Sequence, residues 1–137
     1  MADITVTATD VRPLPGATIE RFIAGGAITV GDTGYMASDG DIEEAAASAV
    51  GTTYAIGVVV SVVNGATDGA TVAAAGDTVE LVTWGKVTGF SGMTPHDVLY
   101  QSNTAGTLAD AAGTTSHKFA RARSATTIFV QPPMTEA

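Results

Sequence analysis

TPHDVLYQSNTAG, residues 94–106, restates a phrase the chain has already used at 31–40, GDTGYMASDG. Asp32 falls on Asp97 at an offset of 65, and the same offset carries Thr29 onto Thr94 and Tyr35 onto Tyr100. With a small gap, Thr52 and Thr53 before the run YAIGVVVS (54–61) lie opposite Thr114 and Thr115 before HKFARARS (117–124). Both halves therefore read as turn, short strand with Tyr, Gly loop, threonine pair, strand. A partial third echo, GDTVELV at 76–82, repeats the Gly-Asp turn entering a strand. A catalytic motif needs one copy, whereas architecture is what a chain repeats. Asp bonds nearby backbone amides and Gly tolerates positive φ, so these phrases predict tight reversals. The Tyr that follows each Asp is expected to bury its ring with its hydroxyl at the rim.

The rest of the chain supports strands. β-branched runs of about four to eight residues alternate with Gly, Asp, Asn and Thr. The expected strands are 4–9, 18–23, 34–37, 56–63, 78–83, 85–90, 98–101, 118–122 and 126–130. This pattern predicts an all-β barrel or sandwich of two pseudo-repeated β units packed face to face. At most one short helix enters the scheme, at 41–49, DIEEAAASA. Asp41 is placed to cap it and two Glu residues favour the positive end of its dipole. Ile42 is its only large apolar residue, so the extended alternative is favoured.

At 137 residues the chain has the length of one domain, and it divides as an N-terminal arm (1–16), a β domain (17–131) and a flexible tail (132–137). The arm is inferred from Ile4, Val6 and Ala8 alternating with polar neighbours before Pro13 and Pro15, which fix the backbone and remove donors. With 14 acids against 6 bases, the net charge of −8 repels a phosphate backbone, so no nucleic-acid partner is expected. The one basic cluster, Lys118, Arg121 and Arg123, alternates as the solvated face of a strand would. There is no cysteine, which excludes disulfides and thiol chemistry. The N-terminus lacks the pattern of a secretory signal, and no apolar stretch has the 18 to 20 or so residues needed to cross a bilayer, so no membrane partner is expected.

Chemistry finds no local support. Ser91 in GFSGM lacks the spacing of a nucleophile elbow. His96 and His117 are the only histidines; they sit beside turn residues, where a solvated imidazole is expected, and their separation fits no zinc site. The acidic run Asp39, Asp41, Glu43 and Glu44 is the best hard-cation candidate, but it departs from the EF-hand pattern and reads as a solvated loop. The Gly-rich stretches AGGAITVG and GATDGA lack the Lys and Ser/Thr of a phosphate loop. Trp84 reads as core or interface packing, since no second aromatic adjoins it. The expectation is a protein that is not an enzyme and carries no cofactor or metal.

Taken in order, GGAITVGDTGYMASDG, YAIGVVVSVVNGATDGATVAAAGDTVELVTWGKVTGF, MTPHDVLYQSNTAGTL and the closing strand IFVQP resemble the small capsid decoration, or cement, proteins of tailed phages. The resemblance covers most of residues 17–131. Two features depart from it: His96 stands where a Gly is typical, and the segment after Gly40 is Ala-rich. The resemblance implies a small tulip-like β barrel that assembles as homotrimers on the outside of an icosahedral head. Its partner there is the major capsid protein, after synthesis in the host cytoplasm. On this reading the candidate capsid or subunit interface comprises Ile4, Val6, Val11 and Pro13 of the arm, which is able to add a strand to a neighbour, together with Trp84 and His96. The alternative is a carbohydrate- or cell-surface-binding module of a head fibre or tail tip, using Trp84, Tyr54 and Tyr100 as exposed platforms.

Overall fold

The repeated phrase folds as one turn made three times. In the computed structural model, which describes residues 3–63 and 71–132, the amide of Asp32 donates to the Thr29 carbonyl at 2.9 Å. The Thr29 amide donates back to Asp32 Oδ2 at 2.8 Å. Ala74 and Asp77 make the same reciprocal pair at 3.0 and 2.9 Å, and Thr94 and Asp97 make it at 3.0 Å for both bonds. The residue before each Asp has positive φ: 98° at Gly31, 92° at Gly76 and 76° at His96. The preceding Val30, Ala75 and Pro95 do not, so these are type II turns with Pro95 in its favoured second position. The Asp closes each turn by bonding the amide three residues back.

Each turn delivers the chain into a strand. The strands are β1 (Thr5–Val6), β2 (Arg12–Pro13), β3 (Thr18–Ile23), β4 (Ile28–Thr29), β5 (Thr33–Met36), β6 (Ile42–Glu44), β7 (Gly57–Val62), β8 (Val72–Ala73), β9 (Thr78–Thr88), β10 (Phe90–Ser91), β11 (Val98–Gln101), β12 (Leu108–Ala109), β13 (Lys118–Ala122) and β14 (Thr127–Val130), with single 3-10 turns at Ala8–Asp10 and Val50–Thr52. The chain is all-β. Segment 41–49 is a short strand followed by a loop and turn: Ile42, Glu43 and Glu44 pair with β5 as β6.

The main sheet runs β12-β11-β13-β14-β9-β7-β5-β6, with β2 and β3 also on β9. Its centre is the long β9, whose first half lies between β3 and β7 and whose second half pairs with β2 and β14. Two equivalent blocks follow from this order. In the first, the spatial sequence is β6-β5-β7-β9-β3; in the second it is β12-β11-β13-β14-β9. The second half of β9 thus takes the place that β3 holds in the first block, and β14 takes the place of the first half of β9. The offset of 65 in the sequence is the offset between β5 and β11.

Sequence reasoning split β9 at Trp84 because Gly85 follows it. The strand instead kinks there, with Gly85 at φ 121°. A Cβ on Gly85 would stand 2.7 Å from the Ala17 Cα, so the kink and the close approach of the chain both require glycine.

The two blocks are sewn together through their loops. Thr33 N–H donates to the Gly106 carbonyl, Gly106 N–H to Ala45, and Ala45 N–H back to Thr33, at 2.8 to 3.0 Å. Ala47 N–H donates to Ser102 and Thr115 N–H to Ala47. Inside this seam the Gln101 amide is fully used: Nε2 donates to the Ala45 and Thr107 carbonyls, and Oε1 accepts from the Thr33 hydroxyl. The threonine pairs that seemed to echo each other also meet, with Thr53 Oγ1 donating to the Thr115 carbonyl at 3.5 Å. The curled sheet is closed by these bonds where strand pairing ends.

The core is aliphatic and thin, built from Val58, Val59, Val62, Val79, Leu81, Val82, Leu99, Ile128 and Val130, with Phe119 its largest fully buried side chain. Burying each such Val or Leu is worth roughly 1.5–3 kcal/mol. Gly34 and Gly57 lie where added Cβ atoms would press on Ile42 and on the Val82 carbonyl, so small residues let the strands approach.

The N-terminal segment is not a free arm. Ile4 and Val11 are each only 5% exposed and belong to the core. β1 pairs with β10 and β2 with β9, while the Ile4 amide donates to the Leu108 carbonyl. Asp3 accepts from the hydroxyls of Ser102 and Thr104 at 2.6 and 2.9 Å, which ties the segment to the QSNTAG loop. The prolines end β2 and turn the chain into β3, rather than keeping it off the domain. Of the expected tail, residues 133–137 lie outside the described residues.

Candidate functional site

Among the described residues the exposed large apolar side chains are Ile19, Ile23, Met36, Val72 and Trp84. Trp84 is 52% exposed, so it is a surface residue and not core. Three of the candidate interface positions, Pro13, Trp84 and His96, are exposed; Val6 is half-buried against the core, and Ile4 and Val11 lie within it. The two buried residues owe their position to the pairing of β1 and β2, so they serve the fold and are withdrawn from any surface.

Trp84 stands between two distinct surfaces. On one side it lines an open groove of about 390 Å³ with Glu20, Phe22, Met36, Ile56, Thr83 and Pro132. β3 supplies Phe22 and Glu20, the end of β5 supplies Met36, and the kink of β9 turns the indole over the opening. Next to Met36 the chain reverses through a hairpin, where Ala37 N–H donates to the Asp41 carbonyl and Asp39 Oδ1 accepts from the Asp41 amide. Asp41 and Glu43 lie against Gly25, on the face of this hairpin opposite to Met36.

On the other side Trp84 meets Phe129 edge to face, with ring centroids 5.5 Å apart. The Arg123 guanidinium lies 4.8 Å from the Phe129 centroid, within cation–π range. Strand register puts Lys86 and Arg121 directly opposite Phe129 on its two flanks, and directly opposed residues share a face. Among the described residues none of these three cations makes an ion pair; the one such pair is Arg21 with Glu80 at 3.0 Å. The alternating KFARAR run thus does place its cations on a solvated face, but that face also carries an aromatic pair. Phe129 and Arg123 were not legible as partners of Trp84, because only the β9–β14 register brings them together.

His96 is held in its left-handed conformation by β13: its amide donates to the Ala122 carbonyl, and its carbonyl accepts from Arg121 Nη1 at 3.0 Å. Its role is that of a turn residue standing where the other copies have Gly. His117 reverses the expectation of a solvated imidazole. It is 2% exposed, edge-on to Tyr54 at 5.4 Å, with Nε2 3.3 Å from the Ala55 carbonyl and no partner for Nδ1. Burial lowers its pKa, so the ring is neutral with the proton on Nε2. Tyr35, Tyr54 and Tyr100 are half-buried, which leaves Trp84 alone of the three platforms expected for a glycan-binding module.

A carboxyl pair lies at the seam. Asp32 and Glu44 approach each other beside Gly106, where a Cβ would be 2.7 Å from Asp32 Cγ and 3.0 Å from Glu44 Oε2. Burial and the hydrogen bond with Glu44 push Asp32 up to about 8, against the lowering effect of the Thr29 amide. The raised value favours a protonated Asp32 beside Glu44, which lessens repulsion at the block junction. Among the described residues no group of three or more His, Cys, Asp or Glu side chains is placed to hold a metal ion. No protein-family model, no curated protein and no solved structure matches the chain.

Proposed function

We propose that this chain is a structural virion protein, a decoration or cement protein that binds the outside of an assembled phage head and stabilises the shell. The observation that carries the reading is the groove around Trp84. The groove joins the half-exposed indole to Phe22, Met36 and Ile56 in an aromatic–apolar surface open to solvent, and such surfaces mark docking sites. The order of turns and strands supports it too, since the phrases that resemble cement proteins are the ones that build the two blocks. The action is linkage: a chain that binds the assembled shell and not its open form shifts the balance toward the shell without any reaction. Its partners are the major capsid protein and further copies of itself, as a homotrimer.

The test is co-sedimentation of purified chain with expanded heads that lack it. Saturable binding in a fixed ratio to capsid subunits is expected. Chain left wholly in the supernatant at micromolar concentration, or a Trp84 emission shift on adding a glycan in the absence of heads, would overturn the reading in favour of a surface-binding module.

A further inference from the structure

Of the six bases in the chain, Arg21 is paired with Glu80, and the other five lie on one face of the sheet. Lys86, Phe129 and Arg121 stand directly opposite one another across β9, β14 and β13, and Arg12 stands opposite Thr88, two residues along β9 from Lys86. The Arg123 guanidinium covers Phe129. Lys118 joins them through a bulge: β11 pairs Leu99 with Ala120 and Tyr100 with Lys118, so Phe119 is the extra residue. Phe119 and Ala120 are both buried, and Lys118 and Arg121 on either side of them line a recess of about 150 Å³ with Val98 and Gln131. All five cations are exposed. No acid occurs in β2, β13, β14 or residues 84–88 of β9, in a chain with 14 acids.

We infer that this face binds an acidic segment of the shell protein, with carboxylates on the cations and an apolar side chain beside Trp84 and Phe129. The inference rests on the proposed function and names the chemistry that its partner presents. Cations gathered on one face repel one another, and among the described residues none of the five makes an ion pair that would relieve this. Two of them are already held in place. Arg121 Nη1 donates to the His96 carbonyl at 3.0 Å, and Arg123 lies 4.8 Å from the Phe129 centroid, so less side-chain freedom is lost on binding. The acids at the margins have other settings. Asp97 bonds the Thr94 amide in its turn, Asp10 lines a separate hollow with Gly89 and Ser91, and Glu20 lies in the groove that Trp84 also lines.

The dimensions select a short segment. Four strands spaced about 4.8 Å apart make a face roughly 14 Å across, which an extended chain crosses in about four or five residues at roughly 3.3 Å each. Outside these five bases the chain holds 14 acids and one base. A nucleic acid is charged along its whole length, so beyond this face its phosphates would meet that acidic remainder. A second copy brings the same net charge of −8 and is repelled in most orientations. A short acidic segment meets the cations alone. Charge complementarity of this kind steers the encounter and fixes its orientation, while Trp84 and Phe129 supply the apolar contact.

Two assays test the face: co-sedimentation with expanded heads that lack the chain, and titration of the chain alone with the peptide Glu-Glu-Leu-Glu-Glu. Head binding is expected to weaken roughly tenfold or more between about 50 mM and about 500 mM salt, as exposed charges are screened. R121E/R123E and K86E/K118E should each weaken it by roughly tenfold or more while keeping the far-ultraviolet spectrum and melting profile of the parent; two separate pairs keep the test decisive if one of them fails to fold. The peptide should shift Trp84 emission and the amide resonances of Lys86, Arg121 and Phe129, displace chain from heads, and do neither with R121E/R123E. Reversed variants that bind heads as the parent does would overturn the inference and leave shell binding standing. Peptide binding at this face without head binding would remove the shell as the source of the segment, and failure of both assays removes both readings. Tighter binding of a short thymidine oligonucleotide than of the peptide, or self-association of the parent that the reversals abolish, would overturn the inference in favour of a nucleic acid or a second copy.

Discussion

His96 carries the one backbone conformation in the three turns that its residue type resists. A non-glycine residue in the left-handed region costs roughly 1–2 kcal/mol, offset in part by the greater chain entropy that glycine loses on folding. His96→Gly should therefore raise unfolding stability by up to about 1 kcal/mol in urea titration, and a loss would mean that the imidazole makes a contact of its own. The second residue-scale consequence lies at Asp32. Its ordinary value is 3.8 and its folded value about 8, so between these limits the folded chain holds a proton the unfolded chain has released. Stability from this group is present at low pH and is lost as pH rises toward 8. His117 acts with the opposite sign: its lowered value means stability is present above 6.5 and lost as pH falls below it. Asp32→Asn, which keeps an acceptor for Thr29, should stabilise the chain increasingly from pH 6 to pH 8. A gap between variant and parent that stays constant with pH would show that Asp32 does not hold a proton in the folded chain.

At the scale of elements, the segment before β3 decides whether the barrel is built from its own chain. Deleting residues 2–15 removes β1, β2 and the buried Ile4 and Val11, each worth roughly 1.5–3 kcal/mol. The deletion should lower the melting temperature sharply or abolish cooperative unfolding; a melting temperature within a few degrees of the parent would restore the arm. The sequence made this segment legible as a strand followed by prolines, but not its attachment, because Asp3 bonds Ser102 and Thr104 about a hundred residues away and no local pattern records that. The strands with strong β-branched runs were legible, and β3, β11 and β13 begin and end where the pattern placed them. The two-residue strands β2, β4, β8 and β12 were not, since their length is set by their partners, whereas β6 falls in the segment whose lack of an apolar face already favoured an extended chain. Likewise Trp84 was legible as a surface or core residue only by its neighbours in sequence; its exposure follows from the kink at Gly85, and its partner Phe129 from register.

At the scale of the whole molecule, the repeated phrase accounts for the architecture and the unrepeated residues account for the surface. Asp32 and Asp97, Tyr35 and Tyr100, and the threonine pairs build two like blocks and the seam between them. What differs between the blocks is charge and the groove around Trp84, and these are what a partner would meet. On the proposed function, the curled sheet carries an open docking groove, and the chain's effect is the binding free energy it adds to the assembled state. The direct measurement is the melting temperature of expanded heads lacking the chain, followed by scanning calorimetry as purified chain is added. The account predicts a shell transition that climbs with chain concentration, first steeply as sites fill and then slowly with the logarithm of free chain. A shell transition that does not move at saturating chain would contradict it.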